Sequence, residues 1–384
     1  MKRALVSLLA TIALSAQAQT TITVDANLNR HPINPQIYGV AYATTAQLQE
    51  LNIPLNREGG NATSRYNWLQ NASNHANDFY FESLSEGTAA PGEMADTFIN
   101  SAKAAGAEAS ITVPLIPWIA KLGPSRGKLA SFSSTKYGAQ TDCDFLYFPI
   151  ACNGILSSNG QFVAGNDPND AHVANTPAIQ QSWIQHLVTT FNTSAAGGVR
   201  YYAMDNEVSI WHSTHRDVHP VGATMDEIRD AIVNYAGAVK NVDPGAMTLA
   251  PEEYGWYGYF FSGYDQQYTS INGYAVIPDR AAHGGADYVP YLLSQLKLAE
   301  AAQGRRLLDV LTLHYYPSSG EFGNDVTAAM QARRNRSTRE FWDLNYISES
   351  SINENIRLIP RMKDWVATWY PGTGIGDHRV QLGG

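Results

Sequence analysis

Apolar and polar positions along this chain alternate between two periods. Short apolar runs of strand type end in polar or aromatic tips, and longer stretches carry an apolar stripe at helical spacing. Ile37-Tyr-Gly-Val-Ala-Tyr42 reads as a buried strand, and Ile53-Pro-Leu-Asn-Arg57 as a second. Pro91 opens a helix that places Met94, Phe98 and Ala102 on one face and closes at Gly106. Ser110 to Ile116 is the next strand. Thr176-Pro177 starts a helix bearing Ile179, Trp183, Leu187 and Phe191. Val199 to Met204 is a strand that ends in Asp205-Asn206-Glu207. Thr224-Met-Asp-Glu227 has the form of a capping box, in front of a stripe of Ile228, Ile232, Tyr235 and Val239. Met247 to Ala250 is a strand leading to Glu252-Glu253-Tyr254-Gly255-Trp256, and Tyr288 to Ala302 is a helix closed near Gly304. Leu307 to Leu313 is a strand ending in His314-Tyr315-Tyr316-Pro317. Ser351 to Tyr370 reads as a helix kinked at Pro360.

Strand and helix therefore alternate, and nearly every strand ends on polar or aromatic residues. That order predicts an α/β chain with a parallel (β/α) barrel and its chemistry at the C-terminal strand ends. A doubly wound open sheet is the competing architecture. It is weakened because no glycine-rich phosphate loop follows the first strand. The region from Pro117 to about Asn175 is a long loop, and loops of that length usually carry a function.

Other features change the picture less. Met1-Lys2-Arg3, the apolar run Ala4 to Leu14 and Ser15-Ala16-Gln17-Ala18 have the form of a signal peptide over residues 1–18, so a secreted protein is expected. The apolar run is too short to span a bilayer, and no later segment predicts a membrane span. The net charge of −9 comes without a basic patch, which argues against nucleic acid as a partner. Cys143 and Cys152 lie close in one loop, where export permits a disulfide that the sequence alone does not establish. His212, His215 and His219 match no standard zinc spacing. Arg333, Arg334, Arg336 and Arg339 read as a charged surface face.

Longer motifs carry a resemblance. Asn56-Arg57-Glu58-Gly59-Gly60-Asn61-Ala62-Thr63-Ser64-Arg65-Tyr66-Asn67-Trp68 and Tyr201-Tyr-Ala-Met-Asp-Asn-Glu207 are similar to glycoside hydrolase family 44. So are Trp211-His-Ser-Thr-His-Arg-Asp-Val-His-Pro220, Pro251-Glu-Glu-Tyr-Gly-Trp256 and Leu313-His-Tyr-Tyr-Pro317. The resemblance implies a secreted, retaining endo-β-1,4-glucanase or xyloglucanase acting on plant cell-wall β-glucan. It implies an eight-fold (β/α) barrel of TIM type over residues 37–376, joined to a small β-sandwich whose opening strand lies in 19–36. Glu207 would be the general acid/base, and Asn206 would hydrogen-bond the sugar hydroxyl beside the anomeric carbon. Arg57, His314 and Tyr316 would orient the nucleophile or substrate. His212 would belong to a substrate-contacting loop. Trp68, Trp211 and Trp256 are candidates for sugar stacking, with core packing an equal alternative. Catalysis would need no cofactor, but a structural calcium is implied, for which Asp142, Asp144 and Glu82 are candidates. A monomer is expected. The competing functions are a glucan-binding remnant without catalysis, and a related barrel hydrolase acting on xylan or mannan.

The sequence departs from the family after Gly376. The family's nucleophile is a glutamate in a motif like Ile-Thr-Glu-Tyr-Asn-Trp on the seventh strand. Here residues 377–384 read Asp-His-Arg-Val-Gln-Leu-Gly-Gly. Those residues can be encoded GAT CAC CGA GTA CAA CTG GGG GGN. Without the first base the same string reads ATC ACC GAG TAC AAC TGG GGG, which translates as Ile-Thr-Glu-Tyr-Asn-Trp-Gly. The tail is thus expected to be an out-of-frame reading caused by a one-base insertion after the Gly376 codon. On that reading the barrel is incomplete at its C-terminal end, the nucleophile is missing, and the chain as written is inactive.

Overall fold

The computed structural model describes residues 23–28, 30 and 32–380. The signal-peptide segment and residues 381–384 of the tail lie outside the described residues. The chain divides into two units, residues 1–35 and 36–384. Of the first unit only a turn is described, in which Leu28 N–H donates to the Asp25 carbonyl. Residues 23–25 form no strand.

The second unit holds seven parallel strands in chain order. They are β1 (Gly39–Ala41), β2 (Leu55–Arg57), β3 (Glu108–Val113), β4 (Tyr201–Met204), β5 (Met247–Tyr254), β6 (Val310–Tyr315) and β7 (Gly374–Val380). The helices between them are α1 (Thr45–Glu50), α2 (Glu93–Ala104), α3 (Pro177–Phe191), α4 (Met225–Val242), α5 (Tyr288–Gln303) and α6 (Leu358–Trp369). Each helix joins two adjacent parallel strands, the connection a parallel sheet requires. This half-barrel agrees with the expected incomplete (β/α) barrel. β7 runs beyond Gly376: Arg379 pairs with His314 and Val380 with Tyr315 on β6. The strand thus runs past residue 376, the expected end of the barrel, through the tail's first four residues.

The helices follow their local chemistry. Thr176 and Thr224 cap α3 and α4 by accepting the amides of Ile179 and Glu227. The capping box at Thr224 is only half made, because the Glu227 carboxylate faces His219 Nε2 at 2.7 Å instead. The α4 stripe of Ile228, Ile232, Tyr235 and Val239 is buried, as its spacing predicts. α6 begins at Leu358 and not at Ser351, and Pro360 does not kink it. Pro360 sits in the first turn, where its missing N–H has no helical partner to lose. The small α1 and the helix Ala328–Ser337 were not legible; the latter holds three of the four clustered arginines. Arg333 and Arg334 bind Glu321 and nearby carbonyls, so they pin a loop instead of forming a bare basic face.

The long loop after β3 is built, not irregular. Trp118–Ala120 pairs antiparallel with His172–Ala174, and Leu129–Ala130 extends the Ala72–Asn74/Glu82–Ser85 hairpin. Cys143 and Cys152 form a disulfide. Between them Phe145, Leu146 and Tyr147 are exposed.

Candidate active site

The site sits where β2, β4, β5 and β6 end. Asp205 and Glu207 both take left-handed φ values, 66° and 52°, on either side of Asn206. Two such residues turn the chain sharply at the strand tip, and non-glycine residues adopt them only where surroundings compel it. Asp205 supplies that compulsion. Its carboxylate accepts the amides of Leu115, Ile116 and Asn206 at 2.6, 3.1 and 2.7 Å, and the Ser64 hydroxyl. Burial raises the Asp205 carboxyl above its ordinary range, against the lowering pull of these bonds.

Glu207 is 5% exposed, at the wall of a cavity of about 480 Å³. Its Oε1 accepts the Tyr316 hydroxyl at 2.7 Å and meets His314 Nδ1 at 2.9 Å. Its amide donates to the Glu252 carbonyl at 2.8 Å. Arg57 Nη2 donates to Asn206 Oδ1 at 3.0 Å and lies 3.5 Å from Glu252 Oε2. A side chain at Gly59 would collide with that guanidinium, since a Cβ there would sit 2.3 Å from Arg57 Cζ. The cavity is also lined by Tyr42, Asn61, Asp78, Tyr254 and Phe322. Tyr254 and Tyr316 pack ring to ring at 5.2 Å, and Asn61 Nδ2 donates to both Asp78 carboxylate oxygens at 3.1 Å.

The structure thus brings Glu207, Asn206, Arg57, His314 and Tyr316 together. It does not bring the three tryptophans to the cavity. Trp211 is 1% exposed and packs edge-on against His219. Trp256 packs among Tyr259, Phe260 and Arg361, and Trp68 lies over His186 with its indole N–H on the Ile179 carbonyl. All three are core residues here, and the stacking expectation is corrected. His212 is half-buried and lines no part of the cavity. Tyr42, Asn61, Asp78, Tyr254 and Phe322 were missed, although Tyr42 ends a predicted strand, and Asn61 and Tyr254 lie in motifs that carry the resemblance. Glu58 and Glu253 were also missed. Each is fully buried, and burial pushes its carboxyl up to about 7.

The calcium set is not assembled as three ligands. Among the described residues no three His, Cys, Asp or Glu side chains form a group that could hold a metal. Asp142 accepts the Tyr80 hydroxyl at 3.1 Å. Glu82 and Asp144 do face each other, and Glu82 Oε1 and Asp144 Oδ2 are buried without a hydrogen-bond donor. Burial and then the Asp144 charge raise the Glu82 carboxyl, while Lys128, 3.1 Å away, lowers it. Two buried carboxylates with donor-free oxygens fit a cation, and Asp142, Asp144 and Glu82 all act on the Tyr80 hydroxyl.

Arg65 is the centre of a second buried network. Arg65 makes two bonds to Asp217, at 3.1 and 3.2 Å, and its other neighbours are His172 and His215. All four side chains are fully or almost fully buried.

Comparisons with known proteins bear on this geometry. The sequence model of glycoside hydrolase family 44 matches residues 72–319. CelM2, described as a bifunctional glucanase-xylanase protein from a metagenome library, is 59% identical with a TM-score of 0.89, over 90% of this chain and 66% of that one. A Paenibacillus polymyxa xyloglucanase of family 44, solved with xyloglucan, is 26% identical with a TM-score of 0.69, over 90% of this chain and 65% of that one. Endoglucanase A of Paenibacillus lautus is 27% identical over 96% of this chain and 51% of its own length. The chain therefore spans about half of that curated relative.

Proposed function

The chain belongs to glycoside hydrolase family 44, and from that premise we propose that it is the acid/base-bearing part of a secreted, retaining endo-β-1,4-glucanase or xyloglucanase. One observation carries the reading. Glu207 lines the cavity beside Asn206, with its Oε1 held by Tyr316 and His314. A carboxyl anchored on one oxygen presents the other in a fixed direction, as proton donation to a glycosidic oxygen requires. Retention needs a second carboxyl roughly 5 Å from the first. The register partner of His314 on β7 is position 379, the place of the motif glutamate in the shifted frame. Arg379 stands there in this sequence, and an arginine forms no glycosyl ester. Hydrolysis by the chain as written is therefore expected to be negligible.

Resequencing the gene from the Gly376 codon tests this. The expected outcome is loss of one base and a frame that continues Ile-Thr-Glu-Tyr-Asn-Trp. If the base persists and the unaltered protein still cleaves glucan at endoglucanase rates, the nucleophile assignment is wrong. The relative described as a bifunctional glucanase-xylanase favours xylan as a second substrate beside glucan. Reducing-sugar release by the in-frame protein from carboxymethylcellulose, xyloglucan and xylan decides it, and release from xylan alone would overturn the glucanase reading.

A structural calcium is part of the proposal in a reduced form, with Glu82 and Asp144 as its carboxylate ligands. Millimolar calcium is expected to raise the melting temperature of chelator-treated protein by several degrees through mass action. Glu82→Gln should abolish that rise. An equal rise in the variant would place the ion elsewhere.

A further inference from the structure

Three ionisable side chains, one just beyond β4 and the others on β5 and β6, touch in series. His314 Nδ1 is 2.9 Å from Glu207 Oε1, and His314 Nε2 is 3.0 Å from Glu252 Oε2. The imidazole and Glu252 are 0% exposed. Each of these contacts is a hydrogen bond only if a proton lies in it, because carboxylates and bare ring nitrogens both accept. Two protons therefore serve three groups.

Glu252 is placed for this by an irregularity in β5. Pro251 pairs with Thr312 and Glu253 with Leu313, so Glu252 is an extra residue in the ladder, with φ at 54°. A bulge of this kind re-aims a side chain near a site. It turns the Glu252 carbonyl to the Glu207 amide and its carboxylate to the ring. Thr312 donates its hydroxyl to Glu252 Oε1, and Arg57 approaches Oε2 at 3.5 Å, farther than the ring does.

We propose that Glu252 is a positioning residue for Glu207: it holds the His314 ring with an N–H on both nitrogens, one of them directed at Glu207 Oε1. The proposal rests on the assignment of Glu207 as acid/base. With His314 and Tyr316 both donating to Oε1, the transferable proton belongs on Oε2. When that proton leaves, the carboxylate left behind keeps two donors. The charged groups acting on the ring are Arg57 from β2, Glu207 beyond β4 and Glu252 from β5, while Tyr316, beyond β6, binds Glu207 Oε1 and the Tyr259 hydroxyl binds the His314 carbonyl. Burial disfavours the charged ring and so does Arg57, but the two carboxylates outweigh them and His314 titrates above its ordinary value. The bland alternative makes Glu252 only a counter-ion for Arg57, which leaves the ring's proton count independent of it.

The test needs no hydrolysis, so it stands or falls separately from the activity. The full chain is labelled with ¹⁵N-histidine, and His314 is assigned by its loss in His314→Gln. At pH 6 both His314 nitrogens are expected to carry protons. In Glu252→Gln the titration midpoint is expected to fall by about one pH unit or more, the scale of losing an adjacent opposite charge. Glu252→Asp should restore part of it. A bare nitrogen on His314 in the unaltered protein at pH 6, or an unmoved midpoint in Glu252→Gln, would overturn the proposal. If Glu252→Gln does not fold, the unaltered protein and Glu252→Asp still decide it: a bare nitrogen in the first, or a midpoint in the second as low as that of exposed histidines, sinks it.

Discussion

Arg379→Glu is expected to raise cleavage of soluble β-glucan by this protein at least about a thousandfold. Removing a nucleophile from a hydrolase that uses it typically costs several orders of magnitude, and supplying one reverses part of that loss. The position follows from strand register. Residue 379 pairs with His314, and the His314 ring touches Glu207. A glutamate at 379 therefore arrives on the strand beside His314, whose ring touches the acid/base, and a retaining mechanism needs its carboxyl roughly 5 Å from that of Glu207. Replacing residues 377–382 by Ile-Thr-Glu-Tyr-Asn-Trp should do at least as well. The control is decisive: Glu207→Gln in either background should remove about a hundredfold to ten-thousandfold of the activity gained, the usual scale of general acid catalysis. Activity that appears with Arg379→Glu and survives Glu207→Gln unchanged would reject the pairing of these two positions.

The second large effect concerns stability. Breaking the Arg65–Asp217 pair with Asp217→Asn is expected to cost about 3 to 5 kcal/mol, because it leaves a buried guanidinium with one formal partner fewer. Burial alone would raise the Asp217 carboxyl. Arg65 outweighs it and holds the group well below the usual carboxylate range. The histidines work in the same direction with acid. His172 accepts from Arg65 through Nε2, and its Nδ1 faces the Pro168 carbonyl at 3.1 Å, a neutral tautomer with Nδ1–H as the donor. Burial, then Arg65, lowers His172 to about 3, and His215 is likewise lowered well below its ordinary value. An unfolded histidine takes up its proton near 6.5, so between that pH and about 3 the unfolded chain binds more protons than the folded one. These two histidines should therefore cost stability as pH drops below about 6.5, while Glu58 and Glu253, whose buried carboxyls take up protons near 7 in the fold, work in the opposite direction. Asp217 adds its own loss only below the unfolded carboxyl range near 4. Urea midpoints measured from pH 7 to pH 4 check this. His172→Gln should lose less stability between pH 7 and pH 4 than the unaltered protein does, and an identical profile in that variant would remove His172 as a contributor.

The alternation of strands and helices was legible because each α4-type stripe and each apolar run obeys one period, and burial follows period closely. Glu207, Asn206, Arg57, His314 and Tyr316 were legible because they lie in motifs that carry the family resemblance and stand at strand tips, where a parallel fold gathers side chains from distant sequence. What failed had no such signature. Trp68, Trp211 and Trp256 are aromatic whether they stack on sugar or fill a core, and only packing distinguishes the two. Phe322 and Asp78 reach the cavity from loops far from any strand tip motif. The position of α6 turned on Pro360, whose meaning depends on whether it falls in a first turn or a later one. The role of Glu252 depends on a bulge that no residue pattern announces.

The bond between Cys143 and Cys152 also changes what integrity means for this molecule. Phe145, Leu146 and Tyr147 are aromatic or leucine positions, exposed within the ring that it closes. A protease of chymotrypsin-like preference that cuts there severs the backbone but releases nothing. The two fragments stay joined, run as one band on a denaturing gel without reductant, and part only when thiol is added. A preparation can thus be nicked in every copy while its mass changes by no more than the water taken up at the cut.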